Sequence, residues 1–256
     1  MERNRIYSAL VLRVRPSGEA NREAWFLTRE EGIIRATVFG GPKSKFRALV
    51  SPFHQGRLWV YHNPVRDSRK LTDFDVQSWR PGIREDYRRT MSAGAILETI
   101  LESQGSGGNW DRALDLASGT LDALDCADES SCIRIFIHFL WNWVLLLGLR
   151  PNINRCASCT CEASPDGLLL WNSYEGTVHC PSCAGISLEG SGVKQVRNYL
   201  PLGPGARRWL EVVENQEPSA VARYTMDARS LGQARSLVTA IIAGALGKRL
   251  VTWDRV

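Results

Sequence analysis

The chain has 256 residues, of which 44% are hydrophobic and 23% are charged, a composition typical of a folded globular protein and unlike that of a disordered or fibrous one. This length accommodates two ordinary domains, each with its own core. The charge is uneven: residues 1–90 contain 18 Lys and Arg against 10 Asp and Glu, whereas residues 91–256 have a net charge of −3. We therefore expect a polyanion to bind the basic part, with a merely solvated arginine-rich surface as the alternative.

The amino-terminal residues show no pattern of a secretion signal. The longest apolar run, 133–149, contains Arg134, His138 and Asn142 and is short for a membrane span, so we predict a buried core helix there. Seven cysteines without a signal indicate a reducing compartment, and the sequence predicts a cytoplasmic protein that does not contact a membrane.

Between residues 5 and 79, short segments rich in β-branched and aromatic residues alternate with turn residues. Five such strands fit a small closed barrel, and we predict an OB-fold, with an SH3-like barrel as the structural rival. The predicted strands are 6–14, 23–28, 32–39, 55–62 and 71–79.

After Pro81-Gly82 the hydrophobic pattern changes to steps of three and four residues, which indicates helices. The sequence therefore predicts an α+β protein with a barrel domain in residues 1–80 and a helical domain in residues 81–256. The first predicted helix begins at Tyr87 and ends before Gly105. The other predicted helices occupy 110–124, 129–147, 193–200, 206–214 and 231–250.

Two Cys-x-x-Cys motifs have the spacing of a zinc site with four thiolate ligands. They are formed by Cys156 with Cys159 and by Cys180 with Cys183. Four thiolates complete a tetrahedron and leave no position for water, so we predict one structural Zn²⁺ in a ribbon-like insert at about 152–190.

The segments 168–171 and 177–179 are predicted to form a hairpin that brings the two motifs together. Cys161 and His179 remain alternative ligands, because each offers a donor beside a motif. A redox-active dithiol at Cys180 and Cys183 is less favoured, because a redox motif does not need the second Cys-x-x-Cys.

The loop 40–47 combines two glycines, three cations and Phe46, a pattern suited to phosphate contacts. We expect Phe46 to anchor the loop in the core, and Trp25 and Trp59 to be core residues. The predicted phosphate-binding residues are Lys43, Lys45 and Arg47 in the loop, with Arg13, Arg15 and Arg35 on or beside neighbouring strands.

Motifs of the common enzymes are missing from the sequence. Neither Gly41-Pro42-Lys43-Ser44 nor Gly247-Lys248-Arg249 forms a P-loop, and a Gly-x-Ser-x-Gly or His-Glu-x-x-His motif is also absent. No histidine begins the His-x-Glu sequence of zinc deaminases. The sequence predicts a protein that is not an enzyme.

Several of these segments together resemble the bacterial RecO family of recombination mediators. They are 9–13, 32–35 and 40–49 with Pro52-Phe53 in the first half, followed by 146–151 and the two cysteine motifs. Their order and spacing extend along nearly the whole chain.

The resemblance implies a DNA repair and recombination protein that binds single- and double-stranded DNA and anneals complementary strands. It implies help in loading recombinase onto DNA coated by single-stranded DNA-binding protein, together with RecR and RecF, in a nucleoid-associated location. The rival hypothesis is an interaction adaptor whose barrel binds protein, in which the zinc and the basic loop are structural.

The resemblance also implies a site for the acidic tail of single-stranded DNA-binding protein on the helix 129–147. Arg134 and His138 lie one turn apart there and provide cations for an anionic peptide. The same spacing also suits a solvated edge of the helix, which is the alternative. Because an unperturbed histidine titrates near pH ~6.5, a direct role for His138 predicts tail binding that strengthens as the pH falls toward 6.

Overall fold

The computed structural model describes residues 4–41, 44–104, 108–186 and 198–256. The chain forms two compact units, one of residues Met1–Cys132 with Val251–Val256 and one of residues Ile133–Leu250. Among the described residues, no helix is both long and apolar enough to cross a membrane. Most of the predicted helix 193–200 lies outside the described residues, and its last two residues belong to a strand instead.

Five strands of the first unit form a closed barrel in the order β1-β2-β3-β5-β4. Antiparallel pairing of β1 with β4 closes it, and β3 meets β5 in parallel. This is the arrangement of an OB-fold, so the predicted fold class is confirmed. The strands are β1 Asn4–Ser17, β2 Asn21–Thr28, β3 Gly32–Val38, β4 Gln55–Asn63 and β5 Ser68–Ser78.

Alternate side chains of these strands fill the barrel. Phe26 and Phe74 meet edge to face inside it, with ring centroids 6.1 Å apart. Phe46 and Leu49 of the short helix α1 (Phe46–Leu49) pack against this core, which confirms the anchoring role expected of Phe46. Helix α1 therefore fixes the described end of the basic loop to the barrel.

Three helices and a carboxyl-terminal turn complete the first unit. Asp86 and Asn109 cap two of the helices by accepting hydrogen bonds from backbone N–H groups. Helices α3 and α4 contact the barrel strands β1 and β2, so this unit extends beyond the predicted domain boundary at residue 80. The elements are α2 Gly82–Glu85, α3 Tyr87–Glu102, α4 Trp110–Asp125 and the 3₁₀-helix Val251–Arg255.

The second unit combines helices with a three-stranded sheet in the order β7-β6-β8. The predicted hairpin is present as β6 and β7, and β8, which was not predicted, pairs with β6. Helix α7 ends at Gly247, whose φ of 66° provides a left-handed cap. The elements are α5 Glu129–Leu146, β6 Leu169–Asn172, β7 Thr177–His179, β8 Tyr199–Leu202, α6 Pro204–Val213, the 3₁₀-helix Pro218–Arg223 and α7 Ala228–Leu246.

The Arg80 side chain is buried between the barrel and α4. Its guanidinium donates to the Phe53 carbonyl at 2.7 Å and to Gln55 Oε1 at 2.9 Å on the barrel side. On α4 it donates to Asp122 Oδ1 at 2.7 Å and to Ser118 Oγ at 2.9 Å. One cation thus satisfies polar groups of two layers at once, and it holds α4 on the barrel.

Replacing this cation is expected to destabilise the protein strongly. Arg80→Ala leaves the buried Phe53 carbonyl without its donor and removes the bonds to the part-buried Gln55 and Ser118, so we expect the free energy of unfolding to fall by about 3 kcal/mol. Chemical denaturation of wild type and variant measures this change. Arg88→Ala, which removes an exposed pair with Glu129, is the matched control and should cost less than about 1 kcal/mol. Equal losses in both variants would contradict the role of Arg80.

Candidate nucleic-acid interface and metal centre

Three neighbouring strands place a tryptophan between two arginines on the outer face of the barrel. Trp25 of β2 pairs with Arg13 of β1 and with Arg35 of β3. Its neighbours Ala24 and Phe26 are fully buried, so the alternation of the strand turns Trp25 outward. We call Arg13, Trp25 and Arg35 the outer row.

Trp25 and Trp59 therefore correct the expectation that both are core residues. Each is only half-buried, and each lies between two strand neighbours that fill the core. The signal was present in the strand alternation, because Ala24 and Phe26 define the inner face of β2. A tryptophan on the outer face presents an aromatic surface where a core tryptophan presents none.

Arg15 extends the outer row, and carboxylates compensate the positive charge of the other two arginines in it. The Arg15 guanidinium lies 5.8 Å from the centre of the Trp25 ring, within range of a cation–π contact. Arg13 pairs with Glu102 at 3.7 Å, and Arg35 pairs with Glu23 at 3.3 Å. Exposed pairs of this kind contribute only about 0.2–1 kcal/mol, so a phosphate can replace the carboxylates.

The cations at helix α1 form a second group. Lys45 lies 3.0 Å from Asp73 and lowers the pKa of that carboxyl group. Arg47 is exposed, and it lies close enough to Arg22 to help lower the pKa of that guanidinium, although burial is the larger cause. Lys43 lies outside the described residues.

Arg22 was missed in the sequence analysis. It holds the described part of the loop in place by donating to the Phe46 carbonyl at 2.7 Å. Nothing in the local pattern of β2 places that strand beside helix α1, because the contact spans 24 residues of the chain. Arg22 therefore adds a positive side chain beside Arg47 to the cations that the sequence predicted in this loop.

The second unit gathers Cys156, Cys159, Cys180 and Cys183 into one cluster. Their sulfur atoms all lie within 4.8 Å of one another, and the sulfurs of Cys159 and Cys180 are 3.9 Å apart. A tetrahedral ion with metal–sulfur bonds of about 2.3 Å requires sulfurs about 3.8 Å apart. The four cysteines could therefore hold a metal ion with little rearrangement.

Backbone hydrogen bonds form the two turns that aim these sulfurs. In the first turn, the N–H of Cys156 donates to the Cys161 carbonyl, and the N–H of Thr160 donates to the Cys156 carbonyl, each at 3.0 Å. The N–H of Ala157 donates to the Val178 carbonyl at 2.8 Å and ties this turn to β7. The hairpin thus brings both motifs to one point, as the spacing predicted.

The thiol groups are coupled electrostatically. Burial raises the pKa of Cys156, but N–H groups near Cys159, Cys180 and Ser158 outweigh it and lower the pKa to about 6. Hydrogen bonding to Cys180 and Cys159 raises the pKa of Cys183 to about 12. Four thiolates at this distance repel one another, and a divalent cation is what allows all four to ionise.

His179 and Cys161, the two alternative metal ligands, both lie outside the cluster of four cysteines. His179 is buried, with Nδ1 2.9 Å from Ser158 Oγ and Nε2 2.9 Å from a Glu175 carboxylate oxygen. The ring thus links β7 to the first cysteine turn. Cys161 is exposed, and the cluster of four described above does not include it.

Arg134 and His138 lie on α5 as predicted, but they differ in exposure. His138 is buried, and its Nε2 donates to the Gln216 carbonyl at 3.0 Å. Burial, aided by the positive charge of Arg150, lowers the pKa of His138 to about 4. The ring is therefore neutral at pH 6, contrary to the expected titration. Arg134 is half-buried and donates to the Ala222 carbonyl at 3.3 Å.

Comparison with known protein families covers nearly the whole chain. A family model described as Recombination protein O N terminal matches residues 1–78, and one described as Recombination protein O C terminal matches residues 84–254. The chain belongs to the RecO family. The resemblance found in the sequence motifs is thereby confirmed.

Curated relatives within the RecO family match over most of their length. A "DNA repair protein RecO" of Anaeromyxobacter dehalogenans is 27% identical over 246 residues, which covers 95% of this chain and 92% of the relative. The protein of that name from Maridesulfovibrio salexigens is 27% identical over 232 residues, with 90% and 88% covered. The one from Moorella thermoacetica is 25% identical over 244 residues, with 94% and 86% covered.

Removing a cluster cysteine is expected to abolish metal binding. Cys156→Ser and Cys180→Ser each break the set of four sulfurs, so elemental analysis should find well below one metal ion per chain, with lower stability of the second unit. Cys161→Ser is the matched control and should retain the ion. Full metal content in both Cys156→Ser and Cys180→Ser would place the site elsewhere.

His138 is expected to make folding stability depend on pH. Since its folded pKa lies below its unfolded value, the unfolded chain binds the extra proton between pH 6.5 and about 4, and stability falls as the pH falls through this range. His138→Gln should reduce the slope of the unfolding free energy by up to about 1.4 kcal/mol per pH unit. Denaturation at pH 7, 6 and 5 tests this, with His62→Gln as the control; equal slopes in His138→Gln and wild type would contradict it.

Proposed function

We propose that this RecO-family protein binds single- and double-stranded DNA and anneals complementary strands. It then helps to load recombinase onto DNA coated by single-stranded DNA-binding protein. The observation that carries the proposal is the outer row, in which Trp25 lies between Arg13 and Arg35 with Arg15 above its ring. The name of the relatives, DNA repair protein RecO, supports the same process.

The physical argument rests on the two chemistries in this row. Arginines neutralise phosphates and release condensed counterions, which drives sequence-independent binding. An aromatic ring between them offers a stacking surface that accepts any base. Protein-binding barrels do not require this combination, so the outer row favours DNA over the adaptor hypothesis. Arg47, with Arg22 beside it and Lys45 nearby, extends the proposed contact, and Lys43 remains part of it as a prediction.

The metal ion in the second unit is proposed to be one Zn²⁺ with a structural role. A set of four sulfur donors favours zinc, and it leaves no open position for a catalytic water. The two cysteine turns and the sheet then fold as one metal-stabilised element. We accordingly propose a protein that is not an enzyme and acts by binding alone, in the cytoplasm and near the nucleoid.

RecR, RecF and the tail of single-stranded DNA-binding protein are the proposed partners. For the tail we propose Arg134 as a direct contact. It is a cation on α5 and, unlike the buried His138, it is only half-buried, so an anionic peptide can reach it. His138 is proposed to support this site from within by holding the Gln216 carbonyl. Coprecipitation with RecR, and binding of a tail peptide to Arg134→Ala, test these assignments separately; full binding by Arg134→Ala would move the tail site elsewhere.

Charge reversal on the barrel is expected to weaken DNA binding. The double variant Arg15→Glu with Arg47→Glu should lose affinity and flatten the dependence of log K on log salt by about two units on duplex DNA, one for each lost phosphate contact. Fluorescence titration at several salt concentrations measures both quantities.

The control reverses the same charge elsewhere. Arg208 is exposed on α6 in the second unit, and Arg208→Glu should leave the salt slope nearly unchanged. If wild type shows no salt-dependent DNA affinity, the adaptor hypothesis replaces the proposed function. If affinity falls equally in the control, net charge and not the barrel surface governs binding.

A further inference from the structure

A cleft of about 560 Å³ opens beside the outer row within the first unit. Its walls come from the barrel strands and from the facing ends of α3 and α4. The side chains that matter for its chemistry are two tryptophans, two arginines and two glutamates: Trp25, Trp110, Arg13, Arg35, Glu31 and Glu102. We call this the Trp25–Trp110 cleft.

The position of Trp110 is fixed by the turn between β2 and β3. Gly32 occupies this turn with a φ of 70°, and a Cβ atom there would lie 2.7 Å from the Trp110 ring. The absence of a side chain at Gly32 is therefore what allows the ring to lie against the backbone. The ring of Trp110 thus lies against the backbone of the barrel at Gly32.

The charges of the cleft select against a phosphate inside it. Glu102 lines the cleft and pairs with Arg13 at 3.7 Å, and Arg35 pairs with Glu23 at 3.3 Å, whereas the carboxylate of Glu31 pairs with Arg5 and Arg69. Because each arginine of the cleft already has a carboxylate partner, a free anion gains little by entering. A planar, uncharged group with polar edges gains from both the aromatic walls and the hydrogen-bonding rim.

We propose that the Trp25–Trp110 cleft holds one unpaired base of a DNA strand whose phosphates lie along the arginines beside it. This inference rests on the proposed DNA binding and adds to it a preference for single strands over duplex. A base within a duplex is stacked and paired, so it cannot enter without the cost of being extruded. The cleft therefore distinguishes single strands from duplex, while the arginines serve both.

The test separates bases from phosphates by the choice of probe. Wild type is titrated with an oligothymidylate, with a strand of equal length in which every base is missing, and with a duplex. Stacking of one base is typically associated with about a tenfold change in affinity. We expect wild type to bind the thymidine strand about tenfold more tightly than the abasic strand.

The variants assign that preference to the two rings. Trp25→Leu and Trp110→Leu should bind the thymidine and abasic strands about equally. Trp110→Leu, which removes no residue of the outer row, should keep duplex affinity within twofold of wild type. Trp25→Phe should keep most of the preference, because it keeps an aromatic ring. Trp59→Leu, on the outer face of β4 and outside the cleft lining, is the matched control and should behave as wild type.

Each result decides between the two proposals. If wild type binds the abasic and thymidine strands equally, the base site is overturned while phosphate binding stands. If wild type binds none of the three probes, the proposed function itself fails. If the preference persists in Trp25→Leu and Trp110→Leu, the base lies elsewhere. If an acidic, aromatic-ended peptide displaces the thymidine strand from wild type but not from Trp110→Leu, the cleft is a peptide site.

Discussion

The buried guanidinium of Arg80 connects the two layers of the first unit on which the proposed DNA surface depends. It bonds the barrel at Phe53 and Gln55 and bonds α4 at Ser118 and Asp122. Trp110 is the first residue of that same helix, about two turns before Ser118. A buried cation with no partner is very costly, so these bonds restrict α4 to a narrow range of positions. The position of Trp110 beside the barrel therefore depends in part on these bonds.

The cysteine cluster brings two turns of the second unit to one point, where the proposed ion would be their shared partner. The turns that aim the sulfurs are short and contain Thr160 at a φ of 58°, a backbone conformation that costs a β-branched residue about 1–2 kcal/mol. Metal coordination offsets such a cost, because binding free energy becomes folding free energy. His179 adds a link between the hairpin and the first turn, which explains why it is buried without joining the cluster.

The strands, most helices and the cysteine cluster could be predicted from the sequence because their signals are local. Alternation, caps and Cys-x-x-Cys spacing are each written within a few residues. The carboxyl end of α7 shows how a local signal was overlooked: the apolar pattern was extended to residue 250, whereas Gly247 ends the helix. In β8 the apolar residues of Tyr199–Leu202 suited either a helix or a strand, and only pairing with β6 decides between them.

The candidate site was less predictable, because it depends on register and on distant contacts. Arg13 and Arg35 were singled out as cations, yet their relation to Trp25 requires the pairing of three strands. Trp110 follows Trp25 by 85 positions in the chain, and nothing near it indicates that Gly32 receives its ring. Side chains with clear chemistry could therefore be identified from the sequence, whereas the space between them could not.

The compensated charges of this surface fit the proposed annealing reaction better than an uncompensated basic patch would. A protein that anneals strands must hold each one and then release the duplex. Glu23 and Glu102 compete with phosphates for Arg35 and Arg13, so a phosphate contact at either of these two arginines replaces an existing pair and its net gain is small. In the proposed mechanism, a single strand also stacks one base in the cleft. When that base pairs with its complement it leaves the cleft, and only the phosphate contacts remain. In this mechanism, base pairing itself supplies the free-energy difference that releases the product.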